Sequence, residues 1–159
     1  MAGTKVIIAG CGVAGPVLGI LLKLKGYDPI IYERLDAPTD MGLSLGYVEP
    51  HCPLDRVTAP AHANHPPHSL QANGLKVLNL IPGLVDKIPK HAVSEIVQYS
   101  SLAEDERELV RFPTQHKELA GYPIYGVRRP ALLRTLIEEA QARGVPVVFG
   151  HQLVSFEQH

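Results

Sequence analysis

A glycine turn with an acid placed behind it constrains this chain more than any other feature. Lys5-Val-Ile-Ile-Ala9 is an apolar run that predicts a strand, and Gly10-Cys-Gly12-Val-Ala-Gly15 predicts the turn after it. Beyond Pro16, residues Val17, Leu18, Leu21 and Leu22 recur at helical spacing, Lys23 and Lys25 fall in the last turn, and Gly26 is placed to end the helix. Asp28-Pro-Ile-Ile-Tyr32 predicts a second strand, which runs into Glu33. Strand, glycine turn, helix, strand and acid in this order form a dinucleotide-binding βαβ unit. Gly10 permits the tight turn, Gly12 lets a pyrophosphate approach the backbone, and Gly15 lets the helix pack on the sheet. The first amides of the helix have no intrahelical partner and face the phosphates with the positive end of the dipole behind them. Glu33 stands where a carboxylate accepts from a ribose hydroxyl pair and repels a 2′-phosphate.

Composition narrows the class. The chain has 159 residues, enough for one core, with 45% hydrophobic residues and a formal net charge of -1. Nothing in that balance recruits nucleic acid or an acidic membrane. Two cysteines, Cys11 and Cys52, make no disulfide framework. The first strand begins almost at once, with no signal-peptide pattern, and the longest apolar stretch, about Val13 to Leu22, is too short to span a bilayer. These readings lead us to expect a soluble, cytoplasmic α/β domain.

Further along, Arg129 begins an amphipathic helix with Leu132, Leu133, Leu136, Ile137 and Ala140 on one face. Arg134, Glu138, Glu139 and Gln141 are expected on the other, and Gly144 ends the helix before a strand at Val145-Pro-Val-Val-Phe149. This second helix-to-strand crossover suits a parallel strand added to the same sheet. Val93-Ser-Glu-Ile-Val-Gln-Tyr99 and Glu108-Leu-Val-Arg-Phe112 alternate moderately around the charged turn Glu104 to Arg107, predicting an antiparallel pair. Phe112, Tyr122 and Tyr125 are candidates to line a pocket, although aromatic residues on strands more often pack in a core.

Five segments in order carry a family resemblance: Gly10 to Gly15, Glu33-Arg34, Gly42-Leu-Ser-Leu-Gly46, Asn73-Gly74-Leu75-Lys-Val-Leu78 and Arg129-Pro-Ala-Leu132. Together the chain resembles the amino-terminal portion of FAD-dependent aromatic-hydroxylase-type (group A) flavoprotein monooxygenases. The resemblance implies a Rossmann-like fold with a partial parallel sheet plus a short antiparallel pair, incomplete relative to the family, with residues from about 92 to 127 starting a substrate-side sheet. It implies FAD as cofactor, NAD(P)H as reductant, and molecular oxygen and a small organic substrate as partners. The implied cofactor contacts are Gly10, Gly12, Val13, Ala14, Gly15, Glu33, Arg34, Gly46 and Arg129, with Arg128 the alternative to Arg129. No side chain is assigned as a catalytic acid or base, because the cofactor carries the chemistry. Two other readings stay open: an NAD-dependent dehydrogenase domain, and a truncated, non-catalytic nucleotide-binding protein. The family's later Asp-Gly and Gly-Asp motifs do not follow Val154-Ser-Phe-Glu157. A reduced flavin left open to solvent by their absence is expected to yield peroxide instead of product.

One interval breaks the resemblance. Tyr47 to Ser69 is rich in proline, histidine and alanine, without apolar periodicity, and predicts a disordered insertion. His51, Cys52, His62, His65 and His68 suggest a metal site, but prolines between them leave no rigid element to hold ligands. Excising the interval joins Gly46 to Leu70 and restores a continuous family segment. Codons for Gly46-Tyr47-Val48 can spell GG/GTATGT, and AGC for Ser69 can end an intron, with GG plus C again encoding glycine. A retained, in-frame intron of 69 nucleotides is therefore expected, and codons lacking GT and AG at these points would exclude it.

Overall fold

The computed structural model describes residues 3–38, 68–100, 107–114, 118 and 121–157. They fall in two compact units. Of these, the first takes 3–38, 77–89 and 129–157; the second takes 68–76, 90–100, 107–114, 118 and 121–128.

The first unit is built on a parallel sheet. Strand β1 (Lys5–Ala9) pairs in parallel with β2 (Asp28–Tyr32), with Ile7 opposite Ile30 and Ile8 opposite Ile31. Helix α1 (Ala14–Leu24) connects them. It ends where expected: the Gly26 and Tyr27 amides bond back to the Lys23 and Leu22 carbonyls, and Gly26 takes φ +86°. The face α1 turns to the sheet differs from the periodicity reading. Leu18 is exposed, and Gly19 and Ile20 are buried in its place. A Cβ on Gly19 would come within 3.0 Å of Val145 Cγ1 and 3.3 Å of Ile31 Cδ1, so the helix backbone itself lies on the sheet. A close approach of that kind turns the helix toward its small residue and leaves the neighbouring leucine outside.

Helix α4 (Arg129–Ala142) begins at the expected residue and packs beside α1, and β8 (Val147–Val148) then adds to β2 in parallel, giving the order β1-β2-β8. The second crossover therefore joins the same sheet. The strand is shorter than the expected Val145 to Phe149, although the Pro146 carbonyl still accepts from the Ile31 amide at 2.9 Å. Leu132, Leu136, Ile137 and Ala140 are buried as expected, and Leu133 is half-buried. Glu139 is not on the solvent face. It is buried, bonded to Lys87 Nζ at 2.5 Å and to Arg143 Nε at 2.8 Å, and Arg143 also donates to the Pro82 carbonyl. Two cations offset the desolvation of this carboxylate, which tethers α4 to the segment holding α3 (Leu84–Lys87).

The second unit contains two antiparallel sheets. In one, β7 (Ile124–Val127) lies between β3 (His68–Leu70) and β4 (Lys90–Val93). In the other, β5 (Glu95–Tyr99) pairs with β6 (Glu108–Pro113), the expected antiparallel pair. Arg111 ties it together through Glu95 at 2.6 Å and Glu108 at 2.7 Å. Helix α2 (Ala72–Leu78) follows β3. The interval read as an insertion ends inside β3, since His68 and Ser69 belong to that strand. His51, Cys52, His62, His65 and the turn at Glu104 lie outside the described residues. No described helix is long and apolar enough to cross a membrane.

Candidate functional site

Because β1, β2 and β8 run parallel, the residues that follow them gather at one end of the sheet: Gly10 to Gly15, Glu33, and Phe149 to His151. Ligands of open α/β sheets bind outside the carboxyl ends of the strands. The turn opens on Gly10 at φ +105°, a conformation closed to L side chains, and the Gly10 amide donates to the Tyr32 carbonyl at 2.8 Å. A Cβ on Gly15 would run into the Gly10 carbonyl oxygen, so this helix start sits directly on the turn. A Cβ on Gly12 would meet nothing within 4 Å. That contrast leaves open space beside Gly12.

Val13 precedes the helix and Ala14 is its first residue; no side chain caps this end and no acid lies in the first turn. The amides there keep their capacity to donate to an anion.

Glu33 is held in place by the turn itself. Its Oε2 accepts from the Cys11 amide at 2.7 Å, and Oε1 accepts from the Leu35 amide at 3.0 Å. These N–H bonds, with smaller help from Arg34, hold its carboxyl below the usual carboxylate range, so it is ionised at neutral pH. The residue is half-buried. Cys11 itself is buried, and burial, then the Glu33 charge, pushes its thiol up to about 11. It stays protonated and unreactive.

Arg34 is exposed immediately after Glu33. Arg129 is the first residue of α4 and half-buried, and Arg128 precedes the helix and is exposed. Gly46 lies outside the described residues, so its implied contact has no geometry here. Asn73 and Gly74 belong to α2.

Two neighbours of Glu33 escaped the sequence reading. The His151 amide donates to the Glu33 carbonyl at 2.8 Å, and the His151 ring lies 5.6 Å from that of Tyr32, tilted by 43°. The Glu33 amide in turn donates to the Val148 carbonyl at 2.9 Å. Only the parallel pairing of β2 with β8 brings these residues together, and no local sequence signal announces it. Among the described residues no cluster of histidine, cysteine and carboxylate side chains has the geometry to hold a metal ion.

Solved structures share this arrangement. The chain superposes on 2-methyl-3-hydroxypyridine-5-carboxylic acid oxygenase with a TM-score of 0.65 at 20% identity, covering 94% of this chain and 32% of that one. This chain shares part of the fold of the flavin-dependent monooxygenases. FqzB matches with a TM-score of 0.67 at 16% identity, over 100% of this chain and 31% of that one. The flavin-dependent monooxygenase PieE, solved in complex with FAD and substrate, matches at 0.65 and 19% identity, over 100% of this chain and 25% of that one. The chain thus spans about a third of the length of the structures it matches. No family model and no curated protein sequence matches it.

Proposed function

We propose that this chain is the FAD-binding portion of an NAD(P)H-dependent flavoprotein monooxygenase that inserts one atom of molecular oxygen into a small organic substrate. The observation that carries the proposal is the Glu33 carboxylate, fixed by the Cys11 amide beside the open space at Gly12. An anionic pyrophosphate fits the uncapped start of α1, and a ribose diol suits the acceptor oxygens of the Glu33 carboxylate. Gly10, Gly12, Val13, Ala14 and Gly15 would hold the pyrophosphate, Glu33 the ribose, and Arg34, Gly46 and Arg129 further parts of the cofactor. FAD, when bound, carries electrons from the nicotinamide to oxygen. The protein's part at this end of the molecule is to bind and orient the adenosine half. Glu33 also selects between cofactors, because its charge opposes a 2′-phosphate at the same ribose.

Retention of flavin by the purified chain tests this. After incubation with FAD and removal of the excess, the visible spectrum of flavin is expected to stay with the protein. Glu33→Gln keeps the shape but loses the charge, and is expected to weaken FAD binding about 10-fold or more, the worth of a charged hydrogen bond. Loss of all flavin from the native chain, or equal retention by Glu33→Gln, would overturn the assignment. Binding of NAD in place of FAD would instead point to a dehydrogenase domain.

A further inference from the structure

The register of β3 makes a specific demand on the residues that occupy it. Across the sheet, Leu70 lies opposite Tyr125, Ser69 opposite Gly126 and His68 opposite Val127. Leu70 is half-buried, and its Cδ1 would lie 3.1 Å from a Cβ on Gly74, so that face of β3 packs on α2. Val127 shares the face of Leu70 and is 2% exposed. A buried valine favours an apolar residue as its cross-strand partner, and His68 holds that register position. On the other face Ser69 is exposed, and the ring of His91 covers Gly126 so closely that any Cβ would overlap it. That row suits a small residue at position 69.

The residues just before the interval meet both demands. Leu43-Ser44-Leu45-Gly46 alternates apolar and small or polar, and joined to Leu70 it reads Leu-Ser-Leu-Gly-Leu, a five-residue strand of period two. With residues 47–69 removed, Gly46 takes the place of Ser69 opposite Gly126, and Leu45 takes the place of His68 opposite Val127. Ser44 then falls on the exposed face and Leu43 on the face of Leu70. We propose that residues 47–69 are an insert within a strand, and that the chain lacking them forms a continuous Leu43-Ser44-Leu45-Gly46-Leu70 strand in the β3 position against β7. The phase is what makes this specific. A junction shifted by one residue turns Leu45 to the solvent face and Ser44 to the buried one.

Two deletions separate the phase from mere shortening. Deleting Tyr47–Ser69 keeps the alternation; deleting Tyr47–His68 shifts it by one residue and leaves Ser69 and Leu70 where they are. The 23-residue deletion is expected to melt no lower than the full chain and about 3–6 °C above the 22-residue deletion. Hydrogen exchange on the same protein is expected to show protection at alternate amides between Leu43 and Leu70. Both readouts are taken without cofactor, so they stand apart from flavin binding. Equal melting of the two deletions, melting of the 23-residue deletion below the full chain, or unprotected amides throughout Leu43–Gly46 would overturn the proposal.

Discussion

Gly12 and Gly15 stand three residues apart in one turn, and a methyl group added to each does a different thing. At Gly15 it meets the Gly10 backbone carbonyl, which cannot swing away as a side chain can. Gly15→Ala is therefore expected to cost about 1–3 kcal/mol, seen as a lower melting temperature with or without ligand. At Gly12 the methyl enters open space, so Gly12→Ala is expected to melt within a degree or two of the native chain while losing about 10-fold or more in FAD affinity. Calorimetry and flavin retention on the two variants check the pair. The need for glycine at position 15 was legible from spacing, since a helix start seated on its own turn has no room for a side chain. What no spacing announces is the Cys11 amide bond to Glu33, which joins residues 22 apart and depends on the register that sets Ala9 opposite Tyr32.

At the scale of elements, Glu139 shows where periodicity misleads. Polarity alone places it on the solvent face of α4; its burial depends on Lys87 and Arg143 arriving from either side. Lys87 first, then Arg143, holds its carboxyl below the usual 4.5, so the folded chain binds this proton less readily than the unfolded chain. The stability contributed is full above about pH 5 and is lost as pH falls through the lowered folded value. Glu139→Gln is expected to destabilise by about 1–3 kcal/mol at pH 7, and the gap to the native chain should close in acid, as followed by denaturant melts at several pH values. The helices α1 and α4 and the pair β5-β6 were readable because each has its own local pattern. Strands β3, β4 and β7 have three or four residues each, too few to show a period, and β7 carries Gly126 in its middle because His91 lies over it. Leu18 and Gly19 exchanged places for a related reason: a hydrophobicity scale does not count a glycine as a contact surface.

In the molecule as a whole, the parallel sheet is covered by α1 and α4 on the face of Ile8 and Ile31. The opposite face carries Ile7, which is 68% exposed on β1, a strand paired only with β2 among the described residues. An open edge with an apolar residue beside it favours self-association. Ile7→Lys is expected to reduce light scattering at high protein concentration while leaving the circular dichroism spectrum unchanged. The strand order has a second consequence, in time. Strand β2 and its acid leave the ribosome early, yet their second backbone partner, Val148, follows about 115 residues later. At ordinary rates of synthesis that is a wait of roughly 6–23 s, during which the glycine turn exists with one wall of its sheet missing. Nascent chains are then most open to capture by chaperones before β8 arrives.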